Sequence, residues 1–238
     1  MRIRDFLGIS QRRQAQLTRV MEVSLVGMLF IGLFVNSPGI VVNAGVGILV
    51  TQLVPALERD YGIPMDPALV LWITAAVFLH ALGTIPLPAD WVDAVGSVEA
   101  GQTRASLYKS SGWWDHMTHA LSSSVVAAAG YSTVRALDEH DDGIVIPPRF
   151  VFVFIVLFVL AFGVLWEVLE FAIGGAAELF GTGSVLTQYG VEDTLLDLVY
   201  NSLGAVVVGV WGTAYLTDVV GAIETRLETG SWDGEERS

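Results

Sequence analysis

Residues 113–124 read W-W-D-H-M-T-H-A-L-S-S-S. They sit in an apolar segment of membrane-spanning length and bring an acid and two imidazoles into it: Asp115, His116 and His119. Asp115 and His119 are four residues apart, so a helix puts them on one face, one turn apart. Two later apolar segments add Glu167 with Glu170, then Asp193, Asp197 and Asn201. Ionisable groups at membrane depth are costly and usually face a bundle interior or a wet cavity, so this collection marks a functional site.

The surrounding composition agrees with a membrane chain. Over 238 residues, 53% are hydrophobic and the mean hydropathy is +0.59, with the apolar residues gathered in blocks. Such blocks describe a polytopic protein whose apolar surface faces lipid. There is no cysteine, which excludes disulfides, thiolate metal sites and cysteine nucleophiles. Acids outnumber bases 25 to 12, and Lys109 is the only lysine. That balance gives no support for nucleic-acid binding. Acid excess with almost no lysine points to a chain adapted to high salt, where hydrated carboxylates keep exposed surfaces soluble.

Working outward, residues 1–19 form a polar, Arg-rich cytoplasmic segment in which Ile3, Phe6 and Leu7 suit a short interfacial helix. Residues 20–35 read as a first span and not as a cleaved signal, because no small-x-small site follows and a second apolar run begins at once. Asn36-Ser37-Pro38-Gly39 is a turn, and residues 40–57 form a second span. After a polar connection over residues 58–66, Pro67 opens a third span to about residue 87, holding His80 and closed by Pro86 and Pro88. A polar loop over residues 90–112 leads to a fourth span, residues 113–136. The fifth is expected at residues 150–173 and the sixth at residues 192–216. Gly181-Thr182-Gly183 lacks a following lysine and reads as a turn, not a phosphate loop. The expected architecture is an all-α, polytopic transmembrane helix bundle of about six spans over residues 20–217. An acidic cytoplasmic tail follows over residues 218–238.

Orientation follows from the bases. With the N-terminus inside, Arg2, Arg4, Arg12, Arg13, Arg19, Arg59, Arg135, Arg149, Arg226 and Arg237 are cytoplasmic, and only Arg104 and Lys109 lie outside. This is a positive-inside pattern with both termini cytoplasmic, in a multi-pass cell-membrane protein. It also sets a common depth. Asp115 and His119 begin the inward-running fourth span, Glu167 and Glu170 end the outward-running fifth, Asp193 and Asp197 begin the sixth, and His80 lies late in the third. Four helices thereby bring their ionisable residues toward the outer side, and each set occupies one helical stripe.

Three of these stretches carry a family pattern. They are Trp114-Asp115-His116-Met117-Thr118-His119, Glu167-Val168-Leu169-Glu170, and Asp193-Thr194-Leu195-Leu196-Asp197 continuing through Asn201 to Gly204-Ala205. Together with His80-Ala81-Leu82 they resemble the YjdF-like family of predicted membrane proteins, which is similar in turn to the VanZ-like family. The resemblance covers residues 71–208, and residues 187–192 depart from the family pattern. It implies a membrane protein and brings no reaction with it.

Each residue also has a plainer reading. Asp115 is either a ligand or acid–base group paired with His119, or a helix cap beside an aromatic belt of Trp113 and Trp114. His116, about 100° round the helix from Asp115, reads as a packing residue. Glu167 and Glu170 in one stripe repel unless a cation or proton lies between them, which favours a site. Asp193 is a cap or a site residue, and Asp197, one turn deeper, belongs to the site. Asn201 reads as a helix–helix hydrogen bond and His80 as a satisfied polar contact.

The sharpest function is metal-dependent chemistry on a lipid or lipid-linked substrate at the outer face of the bilayer. Its catalytic set is Asp115, His119, Glu167, Glu170 and Asp197. A divalent metal ion would be held by Glu167, Glu170, His119 and Asp197 and would activate water. The alternatives are a proton- or cation-coupled carrier, and a structural or accessory membrane protein whose polar cluster locks the bundle.

Overall fold

The computed structural model describes residues 9–87, 106–141, 143, 145–180 and 190–229. The interfacial helix expected near Ile3, most of the loop at residues 90–112, the Gly181–Gly183 turn and the end of the tail lie outside the described residues. Among the described residues the chain is all-helical, with eight helices.

Helix α1, Gln11–Phe34, starts nine residues before the apolar run because Ser10 caps it, accepting a hydrogen bond from the Arg13 N–H at 3.4 Å. One stripe of it is buried: Gln14, Thr18, Leu25, Met28 and Gly32. Asn36 takes the left-handed conformation, with φ 52°, and so turns the chain within three residues into α2, Pro38–Tyr61. Helix α2 continues through Pro55 and ends at Gly62, whose φ of 60° is a glycine C-cap. The polar residues Glu58 to Tyr61, expected as a connection, are therefore its last turn.

Helix α3, Pro67–Gly83, has Pro67 at its start, and the Asp66 carboxylate accepts from the Ala68 and Leu69 N–H groups at 2.8 and 3.1 Å. It stops four residues short of the expected end. A side chain at Gly83 would strike the rings of Tyr108 and Trp114, and the chain leaves the helix at Thr84, ahead of Pro86.

A single turn, α4 (Leu107–Ser110), precedes α5, Gly112–His140. Helix α6 spans Pro148–Leu179, longer than expected at both ends, and α7 spans Val191–Tyr215, one residue earlier than expected at each end. The tail does not begin as a tail. Residues Thr217–Thr229 form α8, whose Val220, Ile223 and Leu227 pack into the core between α5, α6 and α7.

Two apolar cores result. Leu25, Met28, Ile40, Ala44 and Ala81 join α1, α2 and α3, while Ala127, Tyr131, Ile155, Val159, Ala205 and Val208 join α5, α6 and α7. Helix α3 links the halves by packing on α5. Among the described residues, four helices are apolar enough by length and composition to cross a membrane: α1, α2, α6 and residues Val191–Gly212 of α7. Helix α3 is apolar but has 17 residues, and α5 has 29 but carries the polar run. Large apolar residues such as Val23, Phe30, Leu49, Leu157, Phe171 and Val199 lie exposed on the outer faces, as a helical membrane bundle requires.

Candidate functional site

Glycines set how the helices meet. A Cβ at Gly204 of α7 would run into the Ala120 carbonyl oxygen and Ser123 of α5, and one at Gly212 would stand 3.1 Å from the Tyr131 ring. The pairings rise together along both chains, so α5 and α7 run parallel, backbone close to backbone. Helix α6 runs the other way: Gly209 faces Phe152, and Gly163 faces Asn201 with Leu198. Helix α3 is antiparallel to α5, with Gly83 near Trp114 and His80 near Ser122. The N-terminal ends of α5 and α7 and the C-terminal ends of α3 and α6 therefore share one end of the bundle, as the sequence reading expected for the polar residues.

At that end Asp197 is the centre. Its side chain is 2% exposed, and its two oxygens face different imidazoles. Oδ1 lies 3.2 Å from His116 Nδ1, and Oδ2 lies 3.8 Å from His119 Nε2. The same His119 Nε2 stands 3.6 Å from Asp115 Oδ1, on the same helix four residues earlier. Tyr200 stacks flat on His116, with ring centres 4.7 Å apart and planes 4° from parallel. Asn201, one turn below Asp197, is buried with its amide beside the His119 ring.

Among the described residues two sets of ligand-type atoms follow, each with its atoms within 4.8 Å of one another: Asp115, His119 and Asp197, and His116, Asp193 and Asp197. Each offers two carboxylates and one imidazole, a donor set for zinc or other first-row divalent ions. Glu167 is adjacent but outside both sets. It is buried at 5% exposure, Oε2 accepts from the Thr194 hydroxyl at 2.8 Å, and Oε1 has no hydrogen-bond partner among the described residues. Glu170 is half-buried, its Oε1 accepts from the Trp166 indole at 3.1 Å, and its charge lies close enough to Glu167, Asp115 and Asp197 to repel theirs. The two glutamates expected to act as one stripe thus have different hydrogen-bond partners.

His80 has partners of its own. Its Nδ1 lies 2.7 Å from the Tyr108 hydroxyl and its Nε2 lies 3.4 Å from Ser122 Oγ, while its ring meets His119 edge-on at 6.3 Å. The cap readings of Asp115 and Asp193 do not hold. Ser111 precedes α5 and Gly190 precedes α7, so both acids lie in the first turn beyond the cap. Nor do the two tryptophans form a belt pair: Trp113 is exposed, but Trp114 is buried and donates to the Leu79 carbonyl at 3.3 Å.

His116, read from sequence as packing, is a member of the cluster. The available signal was its i,i+3 spacing to His119, which places the two rings about 60° apart on the helix. Tyr108 was not singled out, since nothing local marks a loop tyrosine as the partner of a distant histidine.

Residues 17–218 match a family model described as a predicted membrane protein, DUF2238. No curated protein and no solved structure matches the chain.

Proposed function

We propose that this chain, which belongs to the DUF2238 family of predicted membrane proteins, binds a divalent metal ion between α5 and α7 and uses it on a lipid or lipid-linked substrate. Asp115, His119 and Asp197 are the ligands. When bound, the ion supplies Lewis-acid polarisation and lowers the pKa of a coordinated water. Glu167, with one oxygen that meets no donor among the described residues, is the group that would take the proton of that water. Glu170, held by Trp166, stays outside the ligand set.

The observation that supports this reading is the burial of Asp197 between two imidazoles, with Asp115 closing the group. Carboxylates withdrawn from water need a counter-charge, and a bound cation supplies one. The gathering of polar groups at one end, with no broken helix near the bundle's middle among the described residues, favours surface chemistry over a carrier.

The orientation is part of the proposal. Six helices cross, α3 and α5 among them, both termini are cytoplasmic, and the site opens to the exterior of the cell membrane. The distribution of arginines supports it. So does the hydrogen bond from Arg226 of α8 to the Asp60 carbonyl at 3.2 Å, which puts the C-terminal helix and the α2–α3 connection at one end. The narrower YjdF-like or VanZ-like naming is supported by the helix motifs, which lie within the matched residues.

The test is elemental analysis of the chain purified in detergent after equilibration with Zn²⁺ or Mn²⁺ and removal of free ion. Retained metal that is lost in Asp197→Asn, with helicity unchanged, is expected. A wild-type chain that retains none would remove the metal from the account.

A further inference from the structure

The two donor sets have one member in common. Asp115 and His119 belong to the first, His116 and Asp193 to the second, and Asp197 to both. The sharing is geometric: one carboxylate oxygen of Asp197 faces His116 and the other faces His119. Opposite oxygens of one carboxylate aimed at separate nitrogen donors are how a bridging ligand stands between two ions about 3.5–4 Å apart.

Sequence spacing makes the arrangement rigid. D-H-x-x-H on α5 sends two imidazoles and an acid from adjacent turns, and D-x-x-x-D on α7 sends two acids from adjacent turns. The helices are parallel and in backbone contact at Gly204, so both sets ride on the same two rods. Tyr200 stacking on His116 fixes the ring of the second set, as outer partners of metal-ligating histidines do.

Charge supplies a separate argument. Asp115, Asp193, Asp197, Glu167 and Glu170 form a group whose charges repel. One divalent ion among five carboxylates leaves three negative charges uncompensated, whereas two ions leave one. No donor among the described residues reaches the buried Glu167 Oε1, which leaves this network incomplete among them.

We propose that the centre is binuclear: two divalent cations bridged by Asp197, one held by Asp115 and His119, the other by His116 and Asp193. This rests on the metal reading above and extends it from one ion to two. A pair of ions so spaced clamps both the attacking and the leaving oxygen of an in-line displacement.

The experiment is an ion count on the full chain, stripped with chelator and reloaded with Mn²⁺, by native mass spectrometry with electron paramagnetic resonance alongside. Wild type is expected to carry two Mn²⁺ with a spin-coupled signal. Asp193→Asn and His116→Gln are each expected to carry one, uncoupled, and Asp193→Glu to restore the second. One ion per wild-type chain, with an uncoupled signal, overturns the binuclear centre and leaves the single-ion reading standing. No ion at all overturns both. The wild-type count decides the matter even if a variant fails to fold.

Discussion

Gly204→Ala tests the packing on which the site depends. Alanine adds one methyl, and at this position it would land inside contact distance of the Ala120 carbonyl and Ser123, and 3.0 Å from the Ser124 nitrogen. Two of those three atoms are backbone and cannot rotate away, so α5 and α7 must separate. Overpacking of this kind costs about 1–3 kcal/mol. Glycine to alanine in a helix otherwise gains about 1 kcal/mol. Gly45 of α2, where an added Cβ meets nothing within 4 Å, isolates that gain. Gly204→Ala should therefore be less stable than Gly45→Ala by about 1–3 kcal/mol, measured by denaturant titration in detergent. Asp197 lies two turns, about 10 Å, up the same helix. The displacement should thus also weaken Mn²⁺ retention in Gly204→Ala and leave it unchanged in Gly45→Ala. Equal stability of the two variants, with equal metal binding, would mean that α5 and α7 are not in backbone contact.

Two further outcomes follow from single contacts, and a third from the orientation. Thr194→Val removes the donor to Glu167 Oε2 from a carboxylate whose other oxygen has none among the described residues, and should cost about 1–3 kcal/mol in the same titration. Tyr108→Phe loses the 2.7 Å hydrogen bond to His80 Nδ1 and should cost about 0.5–1.5 kcal/mol, with the ion count unchanged because Tyr108 is in neither donor set. The chain has no cysteine, so single cysteines report topology cleanly. Lys109→Cys should react with a membrane-impermeant maleimide on intact cells and Asp141→Cys only after permeabilisation, and the reverse pattern would invert the proposed orientation.

The fold was legible where apolar length and punctuation carry it. The turn at Asn36-Ser37-Pro38 and the start at Pro67 stand where composition puts them. Helix α8 was hidden because its charges mask a short stripe, Val220, Ile223 and Leu227, that becomes visible only at helical spacing. The common end of Asp115, His119, Asp197, Glu167 and His80 was readable from alternating helix direction alone. What was not readable is how each helix turns about its own axis. That rotation is set by contacts such as Gly163 against Asn201 and Gly204 against Ala120, between residues distant in sequence. It carries His116 into the cluster, turns Glu167 inward and leaves Glu170 on Trp166.

The most direct test of the metal centre is the anomalous difference density of crystals of the full chain grown with Mn²⁺. The account predicts a peak between α5 and α7, within bonding distance of the Asp197 carboxylate and flanked by His116 and His119. Mn²⁺-saturated crystals with no peak there, and with both imidazoles hydrogen-bonded directly to Asp197, would contradict it.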